Sequence, residues 1–205
     1  MISFIIIGKN EGDKLIKCFQ SVKSFTRQST LESEIIYVDS QSTDGSFENA
    51  LQDPEIKSFK LNGKCSPSIA RNYGAKMAKG DFFCFIDGDM ELIPNKLEFF
   101  FTDDGKLLHP IMTANRIDMF YDSEGNYIGN NEKEKINLTD KFEITSGGLM
   151  LINKSLWNSV SGMDEFLKFF EDNDLVYRIY VKHKIKVLKS KVILVKHHTT
   201  RYTDK

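Results

Sequence analysis

The chain has 205 residues, 40% hydrophobic and 28% charged, with a formal net charge of -1. That length and apolar content suit one globular domain with a sizeable core, and sixteen Phe with seven Tyr argue against a disordered chain. Four Pro and thirteen Gly exclude collagen-like character, and the longest apolar runs are far too short to span a bilayer. The opening MISFIIIGKNEG lacks the basic segment of a signal peptide, so a soluble, cytoplasmic protein is expected.

The first ninety residues alternate strand and helix patterns. Ser3 to Ile7 is a β-branched run ended by Gly8, suited to a strand buried on both faces. Leu15, Ile16, Phe19 and Val22 recur at helical spacing, with Glu11 and Asp13 favouring the helix N-terminus. Glu34 to Val38 reads as a second strand, closed by DSQSTDGS. Ser42 or Asp44 is placed to cap the helix through Phe47 and Leu51. A third strand follows at Ile56 to Leu61. The next helix carries Ile69, Tyr73, Met77 and Ala78, with Gly80 expected in the C′ position. Phe82 to Ile86 is a fourth strand running into Asp87-Gly88-Asp89. Strands separated by helices of this length imply right-handed βαβ units and a parallel sheet.

From Asp103 to Phe142 the pattern changes. Ile111 to Tyr121 is β-rich, Ser123 to Asn126 is a turn signal, and a polar run continues through Glu134. A hairpin with a mobile loop is expected, with 122–140 acting as a lid that orders on ligand binding. A rigid hairpin built on Tyr121, Tyr127 and Ile128 is the alternative. Regular structure resumes at Gly148 to Ile152, a helix near Asp172 to His183, and short strands at Lys186 to Leu188 and Val192 to Val195. No repeat or linker divides the chain, so 1–205 is read as a single domain.

Cys18, Cys65 and Cys84 form no CxxC pair, which argues against a zinc ribbon or disulfide framework. Cys18 and Cys84, among apolar neighbours, are most simply core thiols. From Arg178 onward there are nine Lys or Arg against one acid, while the rest of the chain carries nineteen bases and twenty-eight acids. A basic segment of this kind suits an anionic membrane surface or a partner subunit, although a solvated strand and helix face explains it more simply. No nucleic-acid partner is expected.

In an open parallel sheet, ligands bind at the carboxyl ends of the strands. Three clusters fall there: Gly8 to Glu11, Asp39 to Asp44, and Asp87 to Asp89. Two carboxylates two residues apart at the end of a Phe-rich strand are costly unless a cation or hydrogen bonds compensate. Hard oxygen ligands on a tight Gly turn suit Mg²⁺ or Mn²⁺ that also holds a diphosphate. The plainer reading is a solvated Asp-Gly turn. There is no GxxxxGK[ST] and no GxGxxG after the first strand, against a P-loop or dinucleotide fold.

The segments FIIIGKNEGDKLIKCFQSV, IIYVDSQSTDGS, SIARNYGAKMAKGDFFCFIDGDMEL, TSGGLML and GMDEFLKFFEDNDLVYRI, in this order, resemble the GT-A glycosyltransferases of family 2. The resemblance spans Ile2 to His198. It implies an α/β, Rossmann-like, mostly parallel sheet flanked by helices, with a small β-rich region on the acceptor side. Residues 1–100 would bind the nucleotide-sugar and 101–205 the acceptor. It further implies a metal-dependent inverting transfer of a hexosyl or N-acetylhexosaminyl group, from a UDP-sugar to a glycan or lipid-linked hydroxyl, in polysaccharide biosynthesis.

Residue by residue, Gly8, Asn10, Glu11, Ser40 and Gly88 would line the nucleotide-sugar site. Asp39 would accept from the uracil N3–H, with capping of the next turn as its simpler role. Arg71 would face the base or diphosphate, Asp87 the ribose, and Asp89 the metal. Asp172 would be the general base, with Glu171 supporting it or replacing it. Gly147-Gly148 and Arg178 belong to the same matched segments. His197 would join the metal, with His198 as the alternative. Ile7-Gly8 stands where the family commonly has Pro-Thr, which leaves that wall of the site less defined. The rival readings are a non-catalytic nucleotide-sugar-binding module, disfavoured by an intact EDND element, and a sugar nucleotidyltransferase, for which GKNEG is a poor signature.

Overall fold

The computed structural model describes residues 1–93, 95–131 and 148–200. Strands β1 (Ile2–Gly8), β2 (Ser33–Asp39), β3 (Ile56–Lys60) and β4 (Phe82–Asp87) form a parallel block in the order β3-β2-β1-β4. Alternate residues of β1 point to opposite faces. Phe4 and Ile6 pack with Leu15, Phe19, Val22 and Phe25 of helix α1 (Asp13–Gln28). Ile5 and Ile7 pack with Ala70 and Ala75 of α3 (Pro67–Met77) and with Trp157. Burial on both faces is why β1 reads as an unbroken apolar run rather than an alternating one.

Beyond β4 the sheet becomes mixed. The order continues β8 (Leu149–Asn153), β6 (Ile111–Tyr121), β9 (Leu188–Thr200) and β5 (Met90–Leu92), with β7 (Tyr127–Asn130) on the far part of β6. β8 runs antiparallel to both β4 and β6, while β6 and β9 are parallel. The two short strands expected at 186–188 and 192–195 are one long strand. Its register against β6 slips around Asn115, and that irregularity hides the alternation.

The helices are α1, α2 (Ser46–Leu51), α3, α4 (Lys154–Ser159) and α5 (Glu171–His183), with a 3₁₀ turn at Leu97–Phe100. Ser66 caps α3 by accepting from the Ile69 N–H, and Pro67 pre-sets its first turn. Gly80 does not act as a left-handed C′ residue. Its place is set by close approach, because a Cβ would lie 2.7 Å from the Met1 carbonyl oxygen and 2.6 Å from Ser3 Oγ. Gly45 holds the N-cap position of α2 in a left-handed conformation; Ser42 does not cap the helix, but Asp44 Oδ1 accepts from the Ser46 N–H at its first residue. The two side chains also join the loops after β1 and β2. Ser42 Oγ accepts from the Asn10 N–H, and Asp44 Oδ2 from the Gly12 N–H.

The hairpin expected after Tyr121 is present. Asp122 accepts from the backbone N–H groups of Glu124 and Asn126, and Tyr121 meets Tyr127 edge-on. Up to Asn131 the segment is thus a hairpin rather than an irregular loop. The remainder of the expected lid, 132–140, and Gly147 lie outside the described residues. No helix among the described residues is long and apolar enough to cross a membrane.

Candidate active site

The carboxyl ends of β1 and β4 and the N-terminus of α3 enclose a cavity of about 360 Å³. Its walls are Ile7, Gly8, Lys9, Glu11, Ser40, Cys65, Ser66, Pro67, Arg71, Asp87 and Asp89. Of the residues expected from the sequence, Gly8, Glu11, Ser40, Arg71, Asp87 and Asp89 line it. Lys9 belongs to the Gly8 to Glu11 cluster, whereas the Cys65–Pro67 segment was not anticipated; its only sequence signal is its place at the start of α3.

Two tight approaches shape the floor. A Cβ on Gly88 would stand 3.1 Å from the Ile7 carbonyl oxygen and 3.2 Å from Glu11 Cγ. A Cβ on Gly148 would meet Asp87 Oδ2 at 2.6 Å. The Asp87 N–H donates to the Gly148 carbonyl, so β8 helps to aim the first acid of the DGD turn.

Arg71 connects the two acidic motifs. Its Nη2 donates to Asp87 Oδ1 at 2.8 Å and its Nη1 to Glu171 Oε1 at 3.0 Å. The arginine side chain is 3% exposed, so its guanidinium is withdrawn from water in both pairs, while Asp87 stays partly exposed. Burial pushes the Asp87 carboxyl upward, Arg71 opposes this, and the charge of Asp89 adds to the rise. Burial raises Glu11 to about 7, reinforced by Asp89 and, less strongly, by Asp87.

Glu171 is buried and committed to Arg71. Asp172 is partly exposed and accepts only from the neighbouring Asn173 N–H among the contacts described. The two acids of the ED element therefore have different surroundings. Phe170 takes a left-handed conformation at the start of α5, and the N–H of Asp174 returns to its carbonyl. Arg178 lies away from the cavity. It pairs with Asp174 and donates to the carbonyls of Val160 and Gly162, which ties α5 to that turn.

Asp39 is not among the residues that line the cavity. It is fully buried, with Oδ2 accepting from the Tyr37 hydroxyl and Oδ1 from the Ser42 N–H, which is the turn-capping arrangement. Asn10 is exposed, and its Oδ1 accepts from the Thr43 N–H.

His197 lies beside the DGD turn, its Nε2 3.2 Å from Asp89 Oδ2. The bond to Asp89 raises its pKa; burial opposes the rise and Asp118 supports it. His198 is 3% exposed and faces elsewhere, toward the Tyr121 hydroxyl and Glu91 Oε2. Burial lowers its pKa, with Glu91 acting against that.

The donor set fits a hard divalent cation. Asp89 Oδ1 is buried without a hydrogen-bond partner among the described residues, its Oδ2 faces an imidazole, and Glu11 and Asp87 add negative charge nearby. No three His, Cys, Asp or Glu side chains among the described residues enclose a metal by themselves. Cys18 and Cys84 are buried thiols that burial pushes well above their ordinary range, as expected of core residues.

The model of glycosyl transferase family 2 matches residues 3–159. Among curated proteins, an uncharacterized glycosyltransferase of Haemophilus influenzae is 34% identical over 117 residues, covering 53% of this chain and 44% of its own length. Glycosyltransferase GlyG of Streptococcus pneumoniae is 30% identical over 102 residues, covering 48% and 33%. The chain thus spans less than half the length of these two relatives.

Among solved structures, S. aureus TarS 1-349 in complex with UDP-GlcNAc superimposes with a TM-score of 0.69 at 19% identity, over 100% of this chain and 59% of that one. TarS 1-349 alone gives 0.68 at 20%, over 96% and 60%. Such identities carry the fold, which is the GT-A arrangement of a curled α/β sheet. With some three quarters of its length inside the family model, the protein belongs to glycosyl transferase family 2.

Proposed function

We propose that this domain transfers a sugar from a UDP-sugar to a hydroxyl of a glycan or lipid-linked acceptor, with inversion and with the help of Mn²⁺ or Mg²⁺. The observation that carries this reading is the Arg71 fork. It joins the DGD turn, on the donor side, to the ED element at the start of α5. Family membership and the fold shared with a UDP-GlcNAc complex support the donor class.

Asp87 and Arg71 would hold the ribose and diphosphate side of the donor, with Ser40 and Gly8 along the wall. Asp39 would act indirectly, fixing Tyr37 and the turn that carries Ser42. Asp89 and His197 would hold the cation, which when bound offsets charge on the departing diphosphate. Asp172 would take the proton of the acceptor hydroxyl as that oxygen attacks the anomeric carbon. Glu171, occupied by Arg71, would keep the arginine in place instead of moving a proton.

The test has two parts. In calorimetric titrations with Mn²⁺ present, UDP should bind more tightly than GDP, CMP or CDP, and Asp89→Ala should abolish the metal dependence. Asp172→Asn should lower turnover by about 10²- to 10⁴-fold with donor affinity nearly unchanged. Near-native turnover in that variant would assign the base elsewhere.

A further inference from the structure

We infer that Asp118 is a positioning residue that orients His197 toward the cation beside Asp89; the inference rests on the reading of Asp89 and His197 as metal-holding. β6 and β9 run parallel with Asp118 directly opposite His197, so their side chains emerge together on one face. Asp118 Oδ1 lies 2.7 Å from His197 Nδ1, and both side chains are about one fifth exposed. A carboxylate oxygen only accepts, so Nδ1 carries a proton toward Asp118 and the ring is held with Nε2 facing Asp89 Oδ2, where a cation would take the place of the Nε2 proton. A carboxylate behind a metal-binding histidine both sets ring orientation and raises ligand basicity.

Asp118 is itself held on three sides. Arg116 Nε lies 3.0 Å from Oδ1, Asn131 Nδ2 donates to Oδ2 at 3.0 Å, and the Asp118 N–H donates to Asn131 Oδ1 at 2.9 Å. Asn131 follows β7, so the hairpin beyond Tyr121 is linked through Asp118 to the DGD turn. The competing account is that Arg116, Asp118 and His197 merely fasten β6 to β9.

Calorimetric Mn²⁺ titrations of the full chain in saturating UDP separate the two, with thermal unfolding followed in parallel. Asp118→Ala should weaken Mn²⁺ binding by about 10- to 100-fold. Asp118→Asn, whose amide oxygen still accepts from Nδ1–H, should recover most of that loss. In a His197→Ala background, Asp118→Ala should weaken Mn²⁺ no further, because its effect passes through the ring.

A lower Tm with unchanged Mn²⁺ affinity would overturn the inference, and so would the same loss in the His197→Ala background. Loss of Mn²⁺ binding in His197→Ala but not in Asp118→Ala would overturn the inference alone. A wild-type protein indifferent to Mn²⁺ would overturn the metal reading and the inference with it. Should Asp118→Ala fail to fold, Asn131→Ala carries the test. It should weaken Mn²⁺ in the same direction only while His197 is present, and unchanged affinity would overturn the inference.

Discussion

Arg71 spans two acids that belong to different halves of the chain, one hundred residues apart in the case of Glu171. Its side chain is 3% exposed while Asp87 keeps 32% of its surface toward the cavity, so the two pairs are not equally desolvated. Arg71→Ala would leave Glu171 buried without its partner, and a stability loss of about 3 kcal/mol is expected in urea unfolding. Glu11 makes a second prediction at this scale. Its folded pKa, about 7, lies above the ordinary 4.5 because of burial and the nearby aspartates. An acid raised on folding binds its proton more tightly in the native state, so stability is full below about 4.5 and declines as pH rises toward about 7. For the metal-free protein that gap corresponds to at most about 3 kcal/mol between pH 5 and pH 8. Glu11→Gln should remove this component, seen as a smaller fall in the urea midpoint between those pH values. An equal fall in both proteins would mean that Glu11 does not carry it.

At the scale of elements, the position of α3 decides where Arg71 points. The helix lies so close to β1 that a Cβ on Gly74 would stand 2.4 Å from Ile5 Cγ2. Gly74→Ala should therefore cost about 1–3 kcal/mol through overpacking, visible as a lower Tm, although alanine is the better helix former. A rise in Tm would show that helix and sheet separate easily, which the buried faces of Ala70 and Ala75 argue against. The chain's motifs were legible at this scale because strand runs, caps and turn residues are local signals. Gly80 was misread for the same reason. Gly after a helix usually marks a left-handed cap, whereas here the constraint is the Met1 carbonyl, which no local pattern reveals.

At the scale of the whole molecule, one continuous sheet carries the DGD turn, and the ED element opens helix α5 against it. β9 lies between β6 and β5 and brings His197 beside Asp89. Ending the chain at Val187 should remove the partner of β5 and one side of β6 and abolish cooperative unfolding altogether. A surviving sharp transition from the parallel block would show two independent units instead. Leu194 and Val195 of β9 share a core cluster with Phe4 and Ile6 of β1, which favours a single unit.

The sequence alone determined the parallel block, the helices that cover it, and the strand-end placement of the Gly8, Asp39 and Asp87 clusters. Those features follow from period-2 and period-3.6 burial and from turn chemistry, all of which are local. It also marked the EDND element as acidic residues at a helix start. The separation of Glu171 from Asp172 came only with tertiary structure, because it depends on an arginine one hundred residues away. The same holds for Asp39, whose two oxygens accept from the Tyr37 hydroxyl and the Ser42 N–H, and for His197, which the register of β9 against β5 and β6 sets beside Asp89 in place of His198. Adjacent residues on a strand face opposite sides of a sheet, so strand register decides which of the two histidines reaches Asp89.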